Sequence, residues 1–215
     1  MDGPAGAGKS TVAKIVAKRL GYLYVDTGAM YRALALKALR LGISETDQEA
    51  LAAMGEQTEV RLERAADGGN RVLLDGVDVS AEIRSPAVSA IVSQVSAVPR
   101  LRQLMVVAQR AMAQAGGVVM DGRDIGSYVL PHADRKFFVT AALAERARRR
   151  WAEMAGRGHA ADRKAVEAEI NRRDEQDRHK GANSLVQLPE SVVIDTTGKS
   201  VDVVVAEILD HCRRT

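Results

Sequence analysis

The sequence predicts an α/β fold built on a parallel sheet, and three observations carry that prediction. Short apolar strands alternate with helix-period segments along the chain. A glycine-rich string, Gly3-Pro4-Ala5-Gly6-Ala7-Gly8-Lys9-Ser10, opens the first helix, and phosphate-binding loops of this spacing join a strand to a helix. The chain has 215 residues, 46% hydrophobic and 27% charged, a globular profile that buries a core without a disulfide or metal staple. The single cysteine, Cys212, has no internal partner and reads as a helix-face thiol.

Each element follows from its own local signals. After the loop, Val12, Ile15, Val16 and Leu20 recur at helical spacing and Gly21 stands just past the helix end. Tyr22–Val25 reads as a short strand, and a helix runs from about Ala29 to Leu41. Thr46-Asp47-Gln48-Glu49 has the pattern of a capping box. From Glu59 to Val79 the period drops to two, with Val60/Leu62, Val72/Leu74 and Val77/Val79 separated by turns at Asp67–Asn70 and Asp75-Gly76. This is a three-stranded antiparallel insert with its own small core. Ser85-Pro86 and Pro99 open two helices, the second ending at Gly116-Gly117. Val118–Met120 and Lys136–Thr140 are strands, followed by an arginine-heavy helix from about Ala144 to Met154. A break at Gly156–Gly158 precedes a charged helix from roughly Arg163 to Arg178. Strand Val192–Asp195 and helix Val201–Cys212 close the chain. With no repeat or low-complexity linker, residues 1–215 read as one domain.

Only Met1 and Asp2 precede Gly3, so the strand that should feed the loop, the first strand of the core, is absent from this sequence. The expectation is a functional protein that begins several residues upstream. No apolar run reaches the ~18 residues of a membrane span, and the first residues lack signal-peptide character; the expectation is a soluble, cytoplasmic protein. Lys plus Arg exceeds Asp plus Glu by 3 (31 against 28), which suits anionic ligands in general. Aromatics at 3% leave little for stacking single-stranded nucleic acid.

The loop's chemistry is specific. Its glycines let backbone N–H groups converge on phosphate oxygens, Lys9 adds a positive charge, and the Ser10 hydroxyl is a hard ligand for Mg²⁺. No Asn-Lys pair and no Leu-Ser-Gly-Gly string occurs, which argues against guanine-reading GTPases and ABC-type ATPases. Arg32, Arg100, Arg102 and Arg123 offer forks for further phosphates, as phosphoryl transfer requires. The run Arg146, Arg148, Arg149, Arg150 and the later Arg172, Arg173, Arg178, Lys180 flank the glycine break. They read either as a hinged lid or as solvated helix faces paired through Glu145/Arg149 and Glu169/Arg173. Asp26 and Asp121 end strands, where α/β sites form; each is either a functional acid, Asp121 on the Mg²⁺ shell, or a turn-forming residue. His132, His159, His179 and His211 share no ligand spacing and read as surface residues.

Taken together, Asp2–Thr11, Asp26-Thr-Gly-Ala-Met-Tyr31-Arg32, Gly76–Arg84, Ser93–Arg100, Asp121-Gly-Arg-Asp-Ile-Gly126, Phe137–Thr140 with Glu145–Arg149, and Arg172-Arg173-Asp174 resemble the bacterial cytidylate kinases across nearly the whole chain. The resemblance implies a P-loop nucleoside monophosphate kinase fold. Its parts are a five-stranded parallel core, a monophosphate-binding insert over about 43–100 that contains the three-stranded sheet, and a helical lid over about 148–180. It implies ATP as donor with Mg²⁺ on Ser10, CMP and dCMP as acceptors, and a monomer that binds neither nucleic acid nor membrane. Gly3, Pro4, Ala5, Gly6, Ala7, Gly8, Lys9, Ser10 and Thr11 would hold ATP. Ser93, Arg102 and Asp124 would read the cytosine edge; Thr27, Arg32 and Arg123 would meet the acceptor nucleotide and its phosphate. Asp177 would hold the sugar, and Lys9, Arg149 and Arg173 would act on the transferring phosphoryl. Lys180 stands where the family has an acceptor-contacting arginine, and Asn183-Ser184-Leu185 replaces a proline-containing return. The alternatives are a nucleotide- or RNA-binding module without transferase activity, and a small-molecule kinase with another acceptor.

Overall fold

Gly8 turns at φ 87° and the chain passes directly from the loop into helix α1, Lys9–Leu20. Val12, Ala13, Val16 and Ala17 form its buried stripe, and Gly21, at φ 71°, ends it in the left-handed conformation that glycine adopts without strain. The computed structural model describes residues 1–65, 69–156, 162–178 and 184–213. The chain divides into two compact units, Ala17–Met120 and Met1–Val16 with Asp121–Thr215.

The Ala17–Met120 unit begins with β1 (Leu23–Asp26), α2 (Thr27–Arg40) and α3 (Gln48–Glu56). Helix α2 starts two residues earlier than the periodicity indicates, because Asp26 caps it by accepting the Ala29 N–H at 2.9 Å. The cap of α3 is Asp47 rather than Thr46: its carboxylate accepts the Ala50 N–H at 3.0 Å. Strands β2 (Val60–Arg64), β3 (Asn70–Leu74) and β4 (Val77–Asp78) form the expected antiparallel sheet, with Val60 opposite Leu74 and Leu62 opposite Val72. Asp67 and Gly68 of the first turn lie outside the described residues.

The insert does not keep a core to itself. Val60, Val72, Leu74 and Val79 pack in one cluster with Met30 and Leu34 of α2, Leu51 of α3, and Leu101 and Met105 further on, while Val77 is 59% exposed. Three strands this short cannot bury an apolar face against one another, so that face packs on helices. A single 3-10 turn (Glu82–Arg84), α4 (Pro86–Val95), α5 (Pro99–Ala113) and β5 (Val118–Asp121) complete this stretch, with β5 paired to β1. Ser85 caps α4 and proline opens both helices.

In the other unit, β6 (Phe137–Thr140) and β7 (Val192–Asp195) pair in parallel. Between them come α6 (Leu143–Gly156) and α7 (Arg163–Arg178), and α8 (Val201–Arg213) follows. Helices α6 and α7 pack through Ala147, Val166 and Ile170. Gly156 ends α6; Gly158 lies outside the described residues. Met1 and Asp2, which open the chain, are bonded on both sides. The Met1 carbonyl accepts the Gly122 N–H at 3.0 Å, Asp2 N–H donates to Phe137 O at 2.8 Å, and Val139 N–H donates to Asp2 O at 2.8 Å. Two residues thus carry ladder bonds on both sides without making a strand. Among the described residues no helix is long and apolar enough to cross a membrane.

Candidate active site

The phosphate loop is shaped by what crowds it. Gly3 stands at φ 146°, and a β-carbon there would collide with the Val139 carbonyl, because Asp2 is already laced to β6. Gly6 (φ 74°) faces the α6 backbone, where a β-carbon would sit 3.1 Å from the Arg146 carbonyl. Lys9 folds back to donate from Nζ to Pro4 O at 2.8 Å and is only 6% exposed. Burial, with repulsion from Arg123 next, lowers its pKa to about 7; Asp121 opposes the shift. Ser10 Oγ donates to Asp121 Oδ2 at 2.9 Å. A hydroxyl and a carboxylate side by side are the hard oxygen pair that Mg²⁺ takes while keeping water and phosphate ligands. The described residues contain no cluster of three or more His, Cys, Asp or Glu able to hold a metal by itself. Thr11 is exposed on the first turn of α1.

Three of the expected arginines stand in the same unit. Arg123 donates from Nε to Asp177 at 2.7 Å; burial disfavours its charge, but Asp177 more than compensates and its pKa rises. Arg173 is held by less: its Nε is a buried donor with no partner, and burial and then Arg123 depress its pKa to about 10. Buried Lys9 and the half-buried Arg123 and Arg173 therefore repel one another, an arrangement that a polyanion relieves. Arg149 lies beside Gly8 and bonds Glu145, the Thr196 hydroxyl at 2.9 Å and the Thr196 carbonyl at 2.8 Å. Thr196 in turn donates to Ala7 O at 3.1 Å.

Much of the remaining basic run is a solvated face. Arg148 pairs with Glu145, whose pKa falls to about 2 chiefly through that bond, and Arg150 pairs with Glu153. Asp124 is buried, and its carbonyl accepts the N–H groups of Tyr128 and Val129, opening a π-type turn over Ile125–Val129. Asp177 is 2% exposed, and its carbonyl accepts the Leu185 N–H at 2.7 Å. Lys180 and Asn183 lie outside the described residues, as do His159 and His179. His132 is exposed, and His211 meets the Phe137 ring edge-on.

The other unit holds the remaining candidates. Thr27 is buried at the first position of α2. Arg32 donates to Ile83 O at 3.1 Å and to the Ser89 hydroxyl at 2.9 Å. Ser93 and Arg102 meet through Ser96, whose hydroxyl donates to Ser93 O at 3.0 Å and whose carbonyl accepts from Arg102 Nη1 at 3.1 Å. The Arg102 guanidinium also lies 5.5 Å from the Tyr31 ring centroid. Arg100 departs from the expected phosphate set and pairs with Glu56 on the surface. Asp26 is a helix cap bonded to Arg84 at 3.0 Å.

Four residues escaped the sequence reasoning as site supports. Asp2 accepts the N–H groups of Ile125 and Gly126 at 2.8 Å each; Thr196 joins the loop to Arg149; and Arg146 pairs with Asp174. Asp2, Asp174 and Arg146 stand inside strings of the family resemblance, which was the signal for them; Thr196 had none.

A glycine loop opening a helix, with a strand-end aspartate on its serine, defines a phosphate-loop nucleotide-binding protein of the α/β class. The sequence model of the cytidylate kinase family matches residues 1–214. A cytidylate kinase of Symbiobacterium thermophilum is 78% identical over 215 residues, covering 100% of this chain and 95% of that protein. Cytidylate kinases of Pelotomaculum thermopropionicum and Desulfitobacterium hafniense are 52% and 50% identical, each over 97% of this chain and over 92% and 89% of those proteins. The chain belongs to the cytidylate kinase family, and so to the nucleoside monophosphate kinases.

Proposed function

We propose that the chain phosphorylates CMP, and dCMP with it, by direct transfer of the γ-phosphoryl group of ATP. The bond from the γ-phosphorus to the bridging oxygen breaks, a bond to an oxygen of the acceptor monophosphate forms, and ADP leaves with the electron pair. The observation that carries this reading is the crowding of Lys9, Arg123 and Arg173, with two of the three cations depressed by burial and mutual repulsion. Such a cluster is stabilised when a polyphosphate enters and its charge spreads in transfer.

In this reading Gly3–Thr11 hold ATP. Ser10 and Asp121 are the residues suited to hold Mg²⁺, which supplies charge neutralisation on the phosphates when bound. Lys9, Arg149 and Arg173 act on the transferring group. Thr27, Arg32, Arg123 and Lys180 serve the acceptor nucleotide, Asp177 the sugar, and Ser93, Arg102 and Asp124 the cytosine edge, whose amine donates to a carboxylate while its carbonyl and ring nitrogen accept. The stretch of about 148–180, which carries most of α6 and all of α7, serves as the lid. The reading takes the enzyme to be a cytoplasmic monomer acting on free nucleotides; the modest net charge and 3% aromatics support the exclusion of nucleic acid.

The test is ADP release in the presence of CMP, dCMP, UMP, AMP and shikimate, with and without Mg²⁺. CMP is expected to give the highest turnover, dCMP to follow, and omission of Mg²⁺ to abolish both. Equal or greater turnover with a non-cytidine acceptor overturns the specificity. No acceptor-stimulated turnover, with salt-dependent RNA retention, supports a binding module instead.

A further inference from the structure

We propose that Arg146 and Asp174 form a positioning clamp that fastens helix α7 to the phosphate loop and so sets Arg173 for transfer; the proposal rests on the kinase reading above. Arg146 Nη1 donates to Asp174 Oδ2 at 2.6 Å and to Ala5 O at 3.0 Å. Its Nε donates to Ala141 O at 3.0 Å, and the Ala5 N–H donates to Asp174 Oδ1 at 3.4 Å. Both polar backbone groups of one loop residue and both oxygens of one α7 carboxylate are thereby used in a closed circuit.

The burial of that circuit points to positioning rather than bulk stability. Arg146 is 6% exposed and Asp174 1%. A hidden ion pair loses hydration that two apolar side chains of the same volume would not lose, so stability alone does not call for one here. What apolar side chains cannot supply is direction. Ala5 lies between Gly3 and Gly6, both at positive φ, so the chain on either side of the Pro4-Ala5 pair has little backbone preference of its own. The clamp gives that segment fixed partners on α6 and α7 at once.

The consequence for α7 follows from helix geometry. Asp174 is adjacent to Arg173 and one turn before Asp177, so anchoring it fixes the helix's rotation and with it the direction in which Arg173 leaves the backbone. Asp177 has its own tie, to Arg123. Loss of the clamp therefore leaves α7 held near Asp177 alone and loosens the loop and the placement of Arg173 relative to it. Of the other basic residues of α6, Arg148 and Arg150 pair with glutamates of their own helix, and Arg149 is bonded to the loop only through Thr196 and makes no bond to α7 among the described residues.

The decisive variant is the double substitution Arg146→Met with Asp174→Leu, which removes the pair without stranding a buried charge. It is expected to melt close to the parent yet to lose about 10- to 100-fold in kcat for CMP, the scale of a misplaced catalytic group, with KM for CMP little changed. A folded double variant with parental kcat overturns the proposal. If that variant does not fold, Asp174→Asn decides: it keeps the shape and weakens the clamp, so kcat must fall, and an unchanged kcat overturns the proposal. A separate readout needs no turnover. Amide hydrogen exchange at Ala5–Gly8 in the nucleotide-free protein should quicken in Asp174→Asn, and unchanged exchange speaks against the clamp. Failure of the parent protein itself to turn over CMP would instead remove the kinase reading, and the exchange measurement would still decide whether the clamp exists.

Discussion

The helical layer α2–α5 and the helix pair α6–α7 are held by different forces. In the first, Met30, Leu34, Leu51, Val88, Val92 and Leu101 share one apolar cluster with the inner face of the three-stranded sheet. In the second, the buried apolar cluster among the described residues is Ala147, Val166 and Ile170 with Leu143 and Met154 packed against it, and polar fastenings run beside it: Arg146 to Asp174, Arg149 to Thr196, Arg123 to Asp177. Apolar packing is insensitive to which polar groups line a site, whereas directional bonds make site and support one structure. In the first region stability can therefore be altered without touching the site, whereas in the second a change to the fastening is a change to the site.

The sharpest check on that contrast is Lys9→Ala. Lys9 carries charge to the phosphates, and in the nucleotide-free protein its ammonium is buried at a cost, so removing it should lower kcat by about 100- to 1,000-fold while leaving the melting temperature equal or higher. A marked loss of stability would show that Lys9 also serves as a support through Pro4. The converse holds for Leu34→Ala in α2, where the side chain is fully buried. About 2–5 kcal/mol of stability should be lost by denaturant unfolding, with turnover per folded molecule unchanged. A fall in turnover at full folding would break the separation claimed for this region.

The same contrast explains what was legible in the sequence. Periodicity reports apolar faces, so the three-stranded sheet was readable in outline and β7 over Val192–Asp195 to the residue, and the charged α7 was readable in extent. The phosphate loop was readable because its glycines and Lys9-Ser10 stand contiguous. The polar fastenings were not: Arg146 meets Asp174 28 positions away, and nothing in a run of arginines marks which one turns inward. The π-type turn over Ile125–Val129 was also hidden, because it depends on two N–H groups captured by Asp2, more than a hundred positions earlier. Even the period-two insert misled on one point. Its alternation shows which face is apolar and is silent on what covers that face.

A smaller effect is expected at Asp124, which stands before that turn. Asp124→Ala should raise the KM for CMP and narrow the preference for CMP over UMP by about 1–3 kcal/mol, since a carboxylate suited to the cytosine amine repels the uracil carbonyl. Unchanged selectivity in competition assays would take Asp124 out of base reading. Asp2→Asn should follow it in direction, because only one of the two captured N–H groups can then face a carbonyl oxygen. If Asp2→Asn loses stability alone, its bonds support the turn and leave the base edge untouched.

The last prediction concerns a single proton on Lys9. Its pKa is about 7 in the folded, nucleotide-free protein against 10.5 for an exposed lysine, with burial the main cause and Arg123 the next. Between those values the unfolded chain binds more proton than the folded one, so stability rises with pH across the window. Below about pH 7 both forms are protonated and the contribution is flat. A polyphosphate reverses the balance: its negative charge favours the ammonium and pulls the pKa back up. At pH 8, binding of ATP should therefore be accompanied by uptake of a fraction of a proton, read by calorimetry as a dependence of the binding enthalpy on the buffer's ionisation enthalpy. The uptake should shrink at pH 6, where Lys9 is already charged, and Lys9→Met should remove its share at pH 8. Equal uptake in Lys9→Met and the parent would place the titrating group elsewhere, with the nucleotide's own phosphate the next to examine.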